Sequence, residues 1–154
     1  MKTLYFDIDG TILLWERYAP KPLLADGQFE AHVRKSGFDR LVCVGNLTGI
    51  LRMVRETGVE VDELEAIMSF CHGTFVDVEW FRAVTSLVPD SGQRTKHIDF
   101  NQDWWYVDDL AEEYFTAAGQ RDVLESHRGG RVLITPPNSD GQDIIDWLAR
   151  SVGR

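Results

Sequence analysis

Acidic side chains occur at two points of the sequence where a short apolar run ends. Asp7 and Asp9 belong to the string Asp-Ile-Asp-Gly-Thr, and Asp108 and Asp109 stand together further along the chain. Like charges held close together raise one another's pKa and destabilise a fold unless a cation lies between them. Ligand sets made only of oxygen atoms favour a hard metal ion, for which Mg²⁺ is the natural candidate. The four carboxylates therefore predict a Mg²⁺ site.

A purely structural interpretation of these residues is also open. Asp caps helices and Gly permits tight turns, so both are common where a strand leads into a helix. The five-residue string is less ordinary, because at this composition it is expected by chance in roughly one such sequence in a hundred. Its place directly after an apolar strand favours the chemical interpretation.

Short apolar strands and amphipathic helices alternate along the chain and must position these side chains. Strands are predicted around residues 4–8, 40–44, 104–107 and 131–134, and helices around 47–57, 64–71, 79–88, 110–118 and 144–148. Strands that are apolar throughout, alternating with such helices, indicate a parallel sheet that is covered on both faces. The expected fold class is α/β, a three-layer Rossmann-like sheet, in which ligands bind at the carboxyl ends of the strands.

Four local predictions can be checked against a structure. Ala19–Pro22 is expected to be a loop, and Asn46 is expected to cap a helix with Ile50 and Val54 on its apolar face. The segment 75–88 is ambiguous between strand and helix, and we expect a helix in its second part. Leu110 is expected on the inward face of a later helix.

The composition limits the class of protein. The 154 residues carry 16 Lys and Arg against 25 Asp and Glu, a net charge of −9, and no basic run that could neutralise a phosphate backbone. We expect no nucleic-acid polymer as a partner, whereas a small phosphorylated substrate needs only a few local cations.

No apolar run approaches the ~18 residues that span a bilayer, and the start of the chain leaves no room for a signal peptide. We therefore expect no membrane partner.

Two cysteines, Cys43 and Cys71, rule out a disulfide scaffold and indicate a cytoplasmic protein. The pair Cys71-His72 lacks a second ligand pair at zinc spacing, so we interpret it as a core thiol beside a surface histidine. Trp104 and Trp105 are expected on opposite faces of the sheet.

Residues 6–11, Phe-Asp-Ile-Asp-Gly-Thr, resemble the first motif of the haloacid dehalogenase superfamily, and residues 107–109, Val-Asp-Asp, are similar to its fourth motif. The resemblance implies a Mg²⁺-dependent phosphatase that works through an aspartyl-phosphate. Asp7 would be the nucleophile, and Asp9 would protonate the leaving oxygen and then activate water. Mg²⁺ would be held by the Asp7 carboxylate, the Asp9 backbone carbonyl, and the acidic pair Asp108 and Asp109.

The family places a Ser or Thr at the end of its second strand, where it binds the phosphoryl oxygens. This sequence has Gly45 and Asn46 there, and N–H groups at the start of the following helix could take that role. Thr48 is the nearest hydroxyl, and we interpret it as a residue of the first helical turn. By the same resemblance Gly10 lets the chain turn sharply and the Thr11 hydroxyl fixes the loop.

The family also needs a cation that neutralises the nucleophile and the phosphate. Lys96 is the predicted residue, with Arg94 as the alternative. Lys96, the acidic pair 108–109 and Pro137-Asn138 resemble, more loosely, the 5′-deoxyribonucleotidase branch of the superfamily.

The resemblance leaves no room for a large cap domain, because the stretch between the first two motifs must also hold a helix and a strand. We expect residues 1–154 to form a single domain, with a small helical flap within 59–92. The site would be open, or covered by that flap or by a second copy of the chain in a homo-oligomer. By the same resemblance Trp15 and Tyr18, which follow the nucleophile loop, could face a substrate, although ordinary packing is the simpler interpretation.

Two other functions compete with a phosphatase. A catalytically silent domain of the same fold would bind phosphate, metal or a protein partner, and the missing hydroxyl after the second strand favours it. The intact pair Asp7 and Asp9 argues against it, because a binding module needs no acid–base residue. A receiver-type signalling domain also combines an acidic cluster with Mg²⁺ and Lys, but it would carry its phosphoryl acceptor on a central strand that here ends in Gly45-Asn46.

Overall fold

The computed structural model describes residues 1–24, 26–71, 73–88 and 92–153, which form an α/β fold. Within these ranges the strands are β1 Lys2–Phe6, β2 Leu13–Glu16, β3 Ala19–Pro22, β4 Arg40–Cys43, β5 Thr85–Leu87, β6 Asp103–Asp108 and β7 Val132–Ile134. The α-helices are α1 Gln28–Lys35, α2 Asn46–Glu56, α3 Glu63–Phe70, α4 Val78–Val84, α5 Ala111–Ala117, α6 Arg121–His127 and α7 Gln142–Arg150. A 3₁₀ helix spans Arg94–His97.

Five of the strands form a parallel sheet in the order β5-β4-β1-β6-β7. The central strand β1 pairs with β4 on one side and with β6 on the other, so that Phe6 lies between Cys43 and Val107. All five residues of β1 are buried, as expected for a strand covered on both faces. This register makes Asp7 and Asp108 neighbours at the carboxyl edge of the sheet.

Each face of the sheet carries its own hydrophobic core. One core contains Phe6 and Trp105 and includes residues of α1, α3, α4 and α7, and the other contains Tyr106 and Phe115 and includes residues of α5 and α6. Full burial of a large apolar side chain contributes about 1.5–3 kcal/mol, so these cores hold the helices against the sheet. The structure confirms the predicted three-layer Rossmann-like architecture, and Trp104 and Trp105 lie in different cores as predicted.

No large cap domain is present in the described ranges. The helices α3 and α4 contribute Ile67 and Phe81 to the first core, and Phe75, which lies between them, packs on Phe6 at a ring-centroid distance of 6.0 Å. The segment expected to be a flap is therefore packed against the body of the fold. Among the helices of the described residues, none combines the length and the apolar character that crossing a bilayer requires.

The predicted loop at Ala19–Pro22 is wrong, because this segment is strand β3 of a hairpin with β2. Pro20 lies opposite Trp15, and Pro22 lies opposite Leu13. Prolines are compatible with a strand when their missing N–H group faces away from the ladder, as it can in a two-stranded hairpin.

The ambiguous segment 75–88 contains both a helix and a strand. Helix α4 agrees with the prediction for the second part of the segment, but it ends at Val84, and Thr85–Leu87 then forms strand β5. These three residues pair with Leu41–Cys43 of β4, so contact with a distant strand overrides the helical spacing. Helix α6 had no corresponding prediction.

Two helix faces differ from the sequence prediction. In α5 the buried residues are Ala111 and Phe115, whereas Leu110 precedes the helix and is exposed. In α2 only Leu47 and Thr48 are buried, and both Ile50 and Val54 are exposed. The apolar spacing of α2 is real, but most of that helix face meets solvent.

Candidate carboxylate and metal site

Three carboxylates converge where β1 and β6 end. One oxygen from each of Asp7, Asp108 and Asp109 lies within 4.8 Å of the other two. Asp7 is 4 % exposed and Asp108 is fully buried. Their closeness follows from the parallel register of β1 and β6, which also lets the Asp7 N–H donate to the Val107 carbonyl at 3.1 Å.

A single buried arginine pairs with two of these carboxylates. Arg94 Nη1 lies 3.0 Å from Asp108 Oδ2 and 3.3 Å from Asp7 Oδ1. Its Nη2 donates to the Tyr114 hydroxyl at 2.8 Å, and the guanidinium stacks over the Tyr114 ring at 3.8 Å. The planar guanidinium is therefore held in one orientation, as a fixed positive charge beside the cluster.

Asp108 is the most completely bonded carboxylate of the cluster. Its Oδ2 accepts from the Tyr106 hydroxyl at 2.7 Å as well as from Arg94, and its Oδ1 accepts from the Leu110 N–H at 2.9 Å. Burial and the neighbouring Asp108 raise the pKa of Tyr106 well above its ordinary value, so this hydroxyl remains a donor. Tyr106 was not among the predicted site residues, although a residue two positions before Asp108 on one strand must share its face.

Thr11 connects the two loops that carry the acidic residues. Its hydroxyl lies 3.2 Å from Asp7 Oδ2 and 3.3 Å from Asp109 Oδ1, and it accepts the Asp109 N–H at 3.0 Å. Since a hydroxyl has one proton, it donates to one of these carboxylates at a time. The expectation that Thr11 fixes the loop agrees with these contacts.

Two glycines allow the backbone to approach the carboxylates closely. A Cβ on Gly45 would overlap Asp7 Oδ1 and lie 3.3 Å from Arg94 Nη1, and a Cβ on Gly10 would overlap Asp109 Oδ2. Both residues also have positive φ, +114° for Gly45 and +78° for Gly10, a region that favours glycine. A side chain at Gly45 or at Gly10 therefore does not fit this arrangement.

Burial and mutual repulsion disfavour ionisation of the cluster. Burial, followed by the charge of Asp108, raises the pKa of Asp7 well above its ordinary value, although Arg94 acts in the opposite direction. The same two causes, in the same order, raise the pKa of the half-buried Asp109. When all three carboxylates are ionised, Arg94 leaves two negative charges without a counterion.

A divalent cation fits the residues present. Its charge would balance the two uncompensated negative charges, and oxygen-only ligands suit Mg²⁺. The Nε atom of Arg94 is buried and has no hydrogen-bond partner among the described residues, so this guanidinium keeps one unused donor. The three carboxylates can therefore hold a hard cation.

The fourth acidic residue lies apart from the cluster. Asp9 is half-buried, its side chain is not among the three clustered carboxylates, and its Oδ1 accepts from the Trp15 indole N–H at 3.3 Å. The role expected for its backbone carbonyl as a metal ligand stays a prediction.

Lys96 is also outside the cluster, contrary to its expected position. Its side chain is exposed, whereas Arg94, two residues earlier in the same 3₁₀ helix, is 2 % exposed and bonded to the carboxylates. In a helix with three residues per turn, side chains two positions apart point in directions about 240° apart. Arg94, which the sequence analysis held as the alternative, is the cation that the structure brings to this site.

The start of α2 differs from expectation too. Gly45, not Asn46, is the N-cap residue of α2, and Asn46 is its exposed first residue. The Thr48 hydroxyl donates back to the Gly45 carbonyl at 2.6 Å, which agrees with its assignment to the first helical turn. Cys71 is buried as expected, and His72 lies outside the described residues.

Comparison of the chain with family models, with curated proteins and with solved structures finds no match in any of the three. The fold and the site of the described residues give the class of protein, which is an α/β protein with an aspartate cluster at the carboxyl edge of its sheet.

Proposed function

We propose that the protein is a Mg²⁺-dependent phosphohydrolase that acts on a phosphate monoester, as the resemblance to the haloacid dehalogenase superfamily implies. The observation that carries this proposal is the convergence of Asp7, Asp108 and Asp109 around the buried guanidinium of Arg94. A core position needs no such set of like charges, and their burial is costly unless a bound cation offsets it.

Asp7 is the nucleophile in this proposal. One carboxylate oxygen forms a bond to phosphorus while the bond to the leaving oxygen breaks, which produces an aspartyl-phosphate. When bound, Mg²⁺ supplies charge neutralisation that lets an anionic carboxylate approach an anionic phosphate. Arg94 contributes a second positive charge, since its guanidinium lies 3.3 Å from the Asp7 carboxylate.

Asp9 transfers the protons. Its carboxyl group protonates the leaving oxygen in the first half-reaction, and its carboxylate accepts a proton from the attacking water in the second. The separation of Asp9 from the three clustered carboxylates supports this division, because the two kinds of carboxyl group lie in different surroundings.

The substrate in this proposal is a small phosphorylated molecule. Nucleotides are the first substrates to test, because the chain loosely resembles the 5′-deoxyribonucleotidase branch of the superfamily. The protein would act as a single cytoplasmic domain, with a second copy of the chain as a further cover for the site.

A cavity of about 830 Å³ between residues 58–64 and strand β5 contains none of the clustered residues, so it is not the proposed reaction site.

A silent binding domain is the second candidate, and the loop after β4 favours it. Gly45 has no side chain, Asn46 is exposed, and the Thr48 hydroxyl is bonded to backbone. Gly45 and Thr48 therefore offer no free hydroxyl to a phosphate bound near Asp7.

The experiment that tests the proposal is phosphate release from p-nitrophenyl phosphate and a nucleotide panel, with Mg²⁺ or with EDTA. Asp7→Asn removes the nucleophile, and Asp122→Asn, an exposed residue of α6, is the matched control. We expect turnover that requires Mg²⁺ and Asp7 and that survives Asp122→Asn. Mg²⁺ binding without turnover on any substrate would instead support the silent binding domain.

A further inference from the structure

We propose that Trp15 is the positioning residue for the proton-transfer step, because its indole N–H holds the Asp9 carboxylate apart from the other three carboxylates. This inference rests on the proposed function, but the contact itself can be measured without any activity. The observation behind it is that the fourth aspartate of the site is bonded to the β2–β3 hairpin and not to the cluster.

The contact leaves one oxygen of Asp9 for chemistry. The indole Nε1 donates to Asp9 Oδ1 at 3.3 Å, so one carboxylate oxygen is fixed while Oδ2 remains able to give or take a proton. A proton donor acts efficiently only when its orientation is set before the reaction, and a single N–H bond to one oxygen sets the rotation of the carboxyl group.

The indole is itself oriented from two sides. Trp15 belongs to β2 and lies opposite Pro20 of β3, and its ring meets the Phe70 ring edge-on at a centroid distance of 5.3 Å. Trp15 is nevertheless 53 % exposed, so a substrate can reach the same surface that orients Asp9. Packing by α3 and the hairpin therefore defines the direction of the N–H group.

The hairpin is also joined to the nucleophile loop through the backbone. The Gly10 N–H donates to the Leu13 carbonyl at 2.8 Å, and Leu13 is fully buried in the core. The part of β2 that carries Trp15 is thus anchored beside the loop that carries Asp9.

The test compares two phosphate esters that differ in how much they need a proton. Alkoxide is a poor leaving group that must be protonated, whereas p-nitrophenolate leaves with little help. We expect Trp15→Phe, which keeps an aromatic ring against Phe70 and removes the N–H, to lower kcat/KM for glycerol phosphate roughly tenfold, a part of the 10²–10⁴-fold that general acid–base catalysis supplies. The kcat/KM for p-nitrophenyl phosphate should change less than about twofold, because kcat/KM ends with release of the leaving group and does not include the later hydrolysis of the aspartyl-phosphate, in which Asp9 serves both esters alike.

The matched control is Trp80→Phe, the same chemical change on helix α4, where the ring packs under Arg34. It should leave both esters unaffected. A purely structural role for Trp15 would lower kcat/KM equally for the two esters. If Trp15→Phe and the unaltered protein have the same kcat/KM for both esters, the inference about Trp15 is overturned and the proposed function is not. Absence of turnover by the unaltered protein would instead overturn the proposed function.

A second measurement follows the contact directly. The five tryptophans give five indole N–H resonances in ¹⁵N-labelled protein, and Trp15→Phe identifies the one that belongs to Trp15. We expect Asp9→Ala to move that resonance upfield because a charge-assisted acceptor is lost, and Asp122→Ala to leave it in place. A resonance that does not respond to Asp9→Ala would overturn the inference.

Discussion

Two loops leave the central strands at the same edge of the sheet, and they serve the site in opposite ways. The loop after β1 carries Asp7 and Thr11, whose side chains face the cluster. The loop after β4 brings only the backbone of Gly45 there, while Asn46 is exposed and the Thr48 hydroxyl bonds back to Gly45. One loop supplies charged groups, and the other supplies the space into which a charged group fits.

The positive charge of the site comes from a third segment. Neither loop carries a cation, and Arg94 reaches both Asp7 and Asp108 from the 3₁₀ helix before β6. In the proposed reaction, this guanidinium and a bound metal ion would be the positive charges near the phosphate, and the β4 loop would supply no hydroxyl. Variants that each change one residue of these segments test what each segment contributes to the site.

The largest effect is expected for Arg94. Arg94→Met should lower the free energy of unfolding in EDTA by about 3–5 kcal/mol, because it leaves buried carboxylates without their counterion. Lys96→Met, two residues away and exposed, should change it by less than about 0.5 kcal/mol. Urea unfolding of both variants measures the difference, and equal losses would contradict the position assigned to Arg94.

The second-largest effect is expected for Gly45, where the β4 loop leaves space for the Asp7 carboxylate. Gly45→Ala places a Cβ against the Asp7 carboxylate, whereas Gly58→Ala also lies at a positive φ, +87° against +114° for Gly45, but has no atom within 4 Å of its Cβ. The strained backbone alone should cost about 1–3 kcal/mol at either position. Overpacking should add about 1–3 kcal/mol at Gly45 only, together with loss of turnover. If the two glycines respond alike in thermal unfolding, Gly45 does not pack on Asp7.

The raised pKa of Asp7 predicts how stability depends on pH. The folded protein holds this proton more tightly than the unfolded chain, in which the carboxyl has its ordinary pKa. The contribution of this proton to the free energy of unfolding is therefore fully present below the ordinary pKa and is lost as pH rises through the folded pKa. In EDTA at pH 7, Asp7→Asn should therefore melt above the unaltered protein, by roughly 2–4 °C for each 1 kcal/mol recovered. Mg²⁺ should raise the melting temperature of the unaltered protein more than that of the variant, and calorimetry showing the reverse order would contradict the cluster's charge balance.

The smallest effect separates the two threonines. Thr11→Val removes the acceptor of the Asp109 N–H and a contact to Asp7, whereas Thr48→Val removes only a bond to the Gly45 carbonyl. Each loss should cost about 1 kcal/mol of stability. Only Thr11→Val should also reduce the rise in melting temperature that Mg²⁺ produces, and an equal reduction in both variants would remove the distinction between the loops.

The sequence alone was enough to predict the fold class and half of the site. Apolar runs alternating with amphipathic helices are local patterns, and they correctly placed β1, β4, β6 and β7. Because these strands are parallel, their carboxyl ends lie at one edge, so the sequence predicts Asp7, Asp108 and Asp109 at the same edge of the sheet. The pairing of β1 with β6, which the structure shows, then brings them close together.

Only the tertiary structure decided which other groups join them. The spacing of Arg94 and Lys96 does not say which side chain turns inward, because that depends on how the 3₁₀ helix packs against Tyr114. Strand β5 exists because β4 offers it a partner, and Asp9 meets Trp15 because the hairpin folds back over its own loop. Local patterns are encoded by neighbouring residues, whereas these contacts join segments whose relative placement is set by the register and packing of the whole sheet.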